Sequence, residues 1–102
     1  TLASNLYLTN DENAKSKPGI VLLHTSSGVK EWDHDNAIMF KENGYQVLIV
    51  DSFTPRGYVD RKSIGFEKAA DAQIEDVSYA YQLLVNIADT DPSRVGLIGY
   101  SL

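Results

Sequence analysis

Residues 96–102 read GLIGYSL, and the reading of this stretch decides the fold. An apolar run ending in Gly-x-Ser supplies four of the five positions of the GxSxG turn between a strand and a helix, with Gly99 and Ser101 in place. A serine on such a turn sits in a strained backbone conformation. Side chains two positions to either side would collide with it, so glycine belongs there. Gly99 fills the first of those places, and the second falls after Leu102. Gly-x-Ser alone also fits any strand closed by a polar residue. What precedes it must decide.

Working back along the chain, Val95 to Ile98 reads as a buried strand, preceded by a turn at Asp91-Pro92. Before that turn, Phe66, Ala70, Ile74, Val77, Tyr81, Leu84 and Ala88 follow one another at steps of four or three, the spacing of one helical stripe. Ser52 to Gly65 is irregular, punctuated by Pro55, Gly57 and Gly65. Gln46 to Val50 is a second strand, ending at Asp51. Asp33 to Asn43 has helical character, with Ala37 and Phe40 flanked by Ile38 and Met39 on one side. Asn43-Gly44 fits a hairpin turn in isolation, but the helical pattern before it favours a helix C-cap. Ile20 to Leu23 is a continuous apolar strand, and Leu6 to Thr9 a shorter candidate before the polar turn that ends at Pro18-Gly19. Strands that are apolar throughout and alternate with helices predict a mostly parallel sheet with flanking helices, an α/β fold.

Composition bounds the rest. The 102 residues, 43% of them hydrophobic, predict one domain spanning residues 1–102. A formal charge of −5 disfavours nucleic acid and anionic lipid surfaces as partners. The longest apolar runs are far shorter than the ~20 residues that span a bilayer, so the expectation is a soluble protein with no membrane partner. Cysteine is absent, which excludes thiolate metal sites and leaves the compartment open. The chain opens on Thr1, which reads as a trimmed N-terminus and leaves cytoplasmic and exported locations equally open.

In a parallel α/β sheet, ligands sit at the carboxyl ends of the strands. Three stretches are expected on that rim: His24 to Gly28, Asp51 to Gly57, and Gly99 to Leu102. With these segments quoted in order, VLLHTSSGVKEW (21–32), ENGYQVLIVDSFTPRG (42–57), DAQIEDVSYAYQLL (71–84) and DPSRVGLIGYSL (91–102), the chain resembles the N-terminal half of an α/β-hydrolase and, within that superfamily, the dienelactone hydrolase family. The resemblance covers nearly the whole chain and implies hydrolysis of an ester or lactone through a covalent acyl intermediate, without a cofactor.

Carried over by position, the resemblance implies that Ser101 is the nucleophile, in a serine-using branch of a family whose nucleophile is often cysteine. The backbone N–H of Leu102 falls on one oxyanion donor and the N–H of Ser26 on the other. Thr25 follows His24 where the commoner pair is His-Gly, placing a side chain near the substrate. Arg56 lies close to where family members hold a substrate carboxylate with an arginine. The triad in this superfamily runs serine, acid, histidine along the chain, and both histidines here, His24 and His34, precede Ser101. The expectation is therefore that the 102-residue chain by itself has no esterase turnover.

Plainer readings stand beside these. His24 reads as a structural residue bonded to neighbouring backbone. The cluster Asp33-His34-Asp35 is explained by helix capping and the helix dipole without any metal. Trp32, Tyr79 and Tyr81 read as packing residues, and Arg56 and Arg61 fit solvated loop charges as well as substrate contacts. A dinucleotide-binding reading of Val95 to Gly99 places Ser101 where the fingerprint needs a second glycine, after two strand-helix pairs rather than at the first. A phosphate-binding Walker loop fails too, since Val29 separates Gly28 from Lys30. A third class is a noncatalytic association module: an uncovered strand at Val95 to Ile98 predicts homo-oligomers through an exposed sheet edge.

Overall fold

A computed structural model of the chain describes residues 3–9, 16–87 and 90–99. The apolar runs become adjacent parallel strands. β2 (Lys17–Leu23) lies between β3 (Gln46–Asp51) and β4 (Thr90–Gly99), and β1 (Ala3–Tyr7) adds to the outer side of β3 in the antiparallel sense, giving the order β1-β3-β2-β4. The strand expected at Leu6 to Thr9 is thus shifted toward the N-terminus. Leu8 and Thr9 have left the ladder, and the Thr9 N–H donates instead to Gln46 Oε1 at 2.9 Å.

Two helices cover opposite faces. α1 (Glu31–Glu42) packs Ala37 and Phe40 onto Leu22, Val47 and Ile49, while α3 (Phe66–Val85) packs Ala80 and Leu84 onto Val21, Leu48 and Val50. Alternate strand residues therefore point to alternate helices, and Val47 to Val50 has no solvent exposure on either side. α1 begins with Asp33 Oδ2 accepting the Lys30 N–H at 2.9 Å. It ends in a left-handed Gly44 (φ 92°), with Tyr45 N–H bonded to Phe40 O and Gly44 N–H to Lys41 O, both at 3.1 Å. Asn43-Gly44 is thus a helix C-cap and not a hairpin. Ile38 and Met39, expected on the packed side, are exposed.

The long helix differs from its expected orientation. Its buried residues are Ala69, Ala72, Gln73, Asp76, Ala80 and Leu84; among the described residues of the apolar stripe read from the sequence, only Leu84 is fully buried, and Ile74 is 69% exposed, while Ala88 lies outside the described residues. Small residues let the helix approach the sheet closely, and Gln73 and Asp76 bond to the loops that follow β2 and β3. The bulky stripe is turned aside, so that Ala70, Ile74, Val77 and Tyr81 line an open groove with Leu23 and Leu97.

The irregular stretch from 52 to 65 contains a 3-10 turn, Thr54–Arg56, and a single-turn helix, α2 (Arg61–Ile64). β4 is interrupted early. Thr90 pairs with Lys17 and Val95 with Gly19, so residues 91–94 bulge out of the ladder. That bulge is the expected Asp91-Pro92 turn, held by Asp91 Oδ1 accepting the N–H and the hydroxyl of Ser93, at 3.0 and 2.7 Å. Beyond it, Val95 to Gly99 pairs in parallel with β2, and among the described residues the outer edge of β4 pairs with no strand. The burial expected for this strand is partial: Leu97 is 55% exposed. Among the described residues no helix is long and apolar enough to cross a membrane.

Candidate active site

The connections fix where a ligand can sit. From β2 the chain passes through α1 to β3 on one side, then returns across β2 through α3 to β4 on the other. The carboxyl ends of β2 and β4 flank the point where the direction reverses, the usual crevice of open α/β sheets. Leu23, the last residue of β2, pairs with Gly99. The loop that opens at His24 and the chain leaving β4 therefore start side by side.

The first rim loop is a tight turn. Gly28, at φ 84°, donates its N–H to Thr25 O at 3.1 Å, and Ser27 donates its N–H to Thr25 Oγ1 at 3.3 Å. The Thr25 hydroxyl is thus turned into the loop. Among the described residues the Ser26 N–H has no hydrogen-bond partner, and Ser26 lines a polar cleft of about 180 Å³ with Ser27, Asp60 and Lys62.

The second rim loop is built around Asp51. Its Oδ1 accepts the N–H groups of Phe53 and Thr54 at 3.0 and 2.9 Å, a side-chain turn that starts the 3-10 segment. Burial works against the charge of this carboxylate, but the bonds from Thr54 and Phe53 outweigh it and hold the pKa below the ordinary value. Gly57 closes the turn in the left-handed conformation, φ 73°, with its N–H on Thr54 O.

The two loops meet. His24, 1% exposed, accepts the Ser52 N–H at Nε2 (3.1 Å) and stacks edge-to-face on Phe53, ring centres 4.5 Å apart. Phe53 also closes over Gly28. His24 is the structural residue that the sequence suggests. Its carbonyl accepts the Gln73 side-chain amide at 2.9 Å, which ties the rim to α3.

Arg56 is tied to the same helix. Its two terminal nitrogens donate to both carboxylate oxygens of Asp76 at 2.7 and 3.0 Å, and Nη1 also donates to Ser52 O at 2.8 Å. Glu75 lies 3.5 Å away at the exposed end. Burial works against the charge of Asp76, but the bonds and the charge of Arg56, with the Ser52 side chain beside them, outweigh it and hold its carboxyl below the ordinary value. The guanidinium fork that the sequence offers to a substrate carboxylate is held by a carboxylate of the protein itself.

Sequence reasoning missed Gln73, Asp76 and Phe53. The signal for the first two was present: polar residues three apart, interleaved with Ala69, Ala72 and Ala80 along a helix, mark a face that is buried and bonded. His34 is also engaged, its Nδ1 bonded to the Tyr7 hydroxyl at 2.5 Å, and Asp33 caps α1. Among the described residues no cluster of three His, Asp or Glu side chains could hold a metal. Trp32 is half exposed and Tyr79 65% exposed. Ser101 and Leu102, the expected nucleophile and donor, lie outside the described residues.

A sheet in which β3, β2 and β4 run parallel, with helices on both faces, is an α/β fold of the α/β-hydrolase kind. The family model of the dienelactone hydrolase family matches residues 5–102, and the chain belongs to that family. No curated protein sequence matches it significantly.

Proposed function

We propose that the chain builds the nucleophile and oxyanion side of a serine-dependent carboxylic ester or lactone hydrolase. Ser101 attacks the carbonyl carbon, and the N–H groups of Leu102 and Ser26 receive the oxyanion. The observation that carries this reading is the Ser26 N–H: among the described residues it has no partner, on a turn whose other bonds are made, beside the strand that leads in sequence two residues later to Ser101. Thr25 borders the substrate, and Arg56 anchors the second loop through Asp76.

The base is the part that these residues do not supply. Both histidines of the sequence are engaged elsewhere, His24 with Ser52 and Thr25, His34 with Tyr7. The 102-residue chain tested alone is therefore expected to show no turnover of chromogenic esters. With imidazole added as an external base, an activated acyl ester should acylate Ser101 selectively, read by mass spectrometry of the digested protein and lost in Ser101→Ala. Acyl groups spread over lysines and other serines would refute the nucleophile. Turnover without imidazole that disappears in Ser101→Ala would refute the missing base.

A second reading rests on the free edge of β4. We propose that two copies of the chain associate through this edge, since among the described residues its outer side pairs with no strand, and such an edge beside an exposed Leu97 favours pairing with a like edge. Light scattering at low protein concentration should give a mass above the monomer, reduced by Leu97→Lys; a monomer at every concentration would rule the association out.

A further inference from the structure

We infer that His24, a residue with no place in the acyl-transfer chemistry, positions the Ser26 N–H, an inference that rests on Ser26 being an oxyanion donor. The Thr25–Ser26 peptide is planar and trans, so its N–H points opposite to its C=O, and whatever aims the Thr25 carbonyl aims the Ser26 N–H. That carbonyl accepts from two directions. Gly28 N–H reaches it at 3.1 Å across the turn, and His24 Nδ1 lies 2.8 Å from it. One bond would leave the peptide plane free to rock about its Cα atoms. The second holds it.

The ring can play this part only in one tautomer. Ser52 N–H donates to Nε2, so in the neutral ring Nε2 is bare and Nδ1 carries the hydrogen that goes to Thr25 O. The ring plane is set in turn by Phe53, 62° to it, and the residue's own carbonyl by the Gln73 amide. Gln73 Nε2 also lies 3.4 Å from Nδ1; with Nδ1 protonated, its bond is the shorter one, to the carbonyl. The N–H groups of Ser27 and Gly28 are used inside the turn, on Thr25 Oγ1 and Thr25 O. Of the three N–H groups in residues 26–28, only that of Ser26 is left to point outward, in a direction set by β3 and α3 through one histidine.

The test is nuclear magnetic resonance of the isotopically labelled 102-residue chain. Asparagine in place of His24 puts an amide N–H near the position of Nδ1, and glutamine puts a carbonyl oxygen near that of Nε2. Both variants lose the ring current of the imidazole, so the comparison between them carries the test: His24→Gln should displace the Thr25 carbonyl and Ser26 amide resonances clearly further than His24→Asn, with the Leu22 and Ile49 amides protected in each variant as proof of folding. Unmoved resonances in His24→Gln, or equal displacement in the two variants, would overturn the inference. The unmodified chain decides if a variant does not fold: Nε2 must show the shift of an unprotonated ring nitrogen and a scalar coupling to the Ser52 amide nitrogen. A protonated Nε2, or no coupling, counts equally against it. None of these readouts involves Ser101, so the positioning and the acylation of Ser101 succeed or fail separately.

Discussion

Replacing Asp76 by alanine should cost this protein a large part of its stability, because it strips Arg56 of both arms of its fork at once. The pair is bidentate, at 2.7 and 3.0 Å, and its side chains are only 24% and 9% exposed, for Arg56 and Asp76. Each hydrogen bond to a charged group is worth about 1.5–3 kcal/mol net, so two amount to roughly 3–6 kcal/mol before relaxation. Arg56 keeps some access to water and retains its bond to Ser52 O, which brings the expected loss to about 2–4 kcal/mol. With a urea slope of about 2 kcal/mol per molar, the middle of the range for a small protein, the unfolding midpoint should fall by about 1–2 M. Arg56→Met alone should be similarly harmful, and the double variant no worse than the worse single one, so the coupling should equal the smaller of the two single losses, about 2–4 kcal/mol. Strict additivity, or an Asp76→Ala midpoint equal to that of the unmodified chain, would refute the assignment of the pair as the anchor of the second rim loop.

The same pair predicts a pH dependence with a definite sign. The folded-state pKa of Asp76 is depressed, because the Arg56 bonds outweigh the opposing effect of burial. The carboxylate's contribution is therefore fully present above the unfolded value, about 3.9, and is lost as pH falls through the lower folded value. Asp76→Asn should flatten the stability profile below about pH 4, and an unchanged acid limb would contradict the assignment.

Three further outcomes follow from local geometry. A methyl group at Gly19 would meet Leu84 Cδ2 at 2.9 Å, so Gly19→Ala should destabilise by about 1–3 kcal/mol in urea unfolding, and by much less in a Leu84→Ala background where that atom is gone. Gly57 has φ 73° and open space around it, so Gly57→Ala should cost about 1–2 kcal/mol from backbone strain alone, while Gly96→Ala, with no neighbour in reach, should sit within about 0.5 kcal/mol of the original. Asp91 is lowered to about 2, first by the Ser93 bonds and then by Arg94, so a carboxyl titration should find its midpoint there and Ser93→Ala should raise it.

How much of this was legible in the sequence depends on what each signal measures. Val47 to Val50 reads as a strand buried on both faces because parallel strands sandwiched by helices have no polar positions to show, and the structure has it so. Asn43-Gly44 is ambiguous until the helix before it is counted, and the cap geometry then follows. The orientation of α3 was not legible by hydrophobicity, since the stripe with the largest side chains is not the one that faces the sheet. A helix that must lie close to strands presents alanine, and one that must steady two rim loops presents the glutamine and the aspartate that reach them. Hydrophobic periodicity ranks both as weak or unfavourable positions. It reports instead the apolar stripe that lines the groove beside β4.

The candidate site divides along the same line. His24 and Ser26 could be placed on one rim from order and spacing alone, because the carboxyl end of a strand is a position in the topology. What each does there depends on which of its hydrogen-bonding groups remain unused, and that is settled by partners 20 or more residues away: Ser52 and Gln73 for His24, and Asp76 for Arg56 of the second loop. Arg56 shows the consequence. By type and position it suits a substrate carboxylate, yet Asp76 already meets its two terminal nitrogens in the geometry such a carboxylate would use. Ser26 shows the converse, an ordinary residue whose side chain announces nothing. Its backbone N–H stands ready because Thr25 Oγ1 and Thr25 O have taken the two N–H groups that follow it.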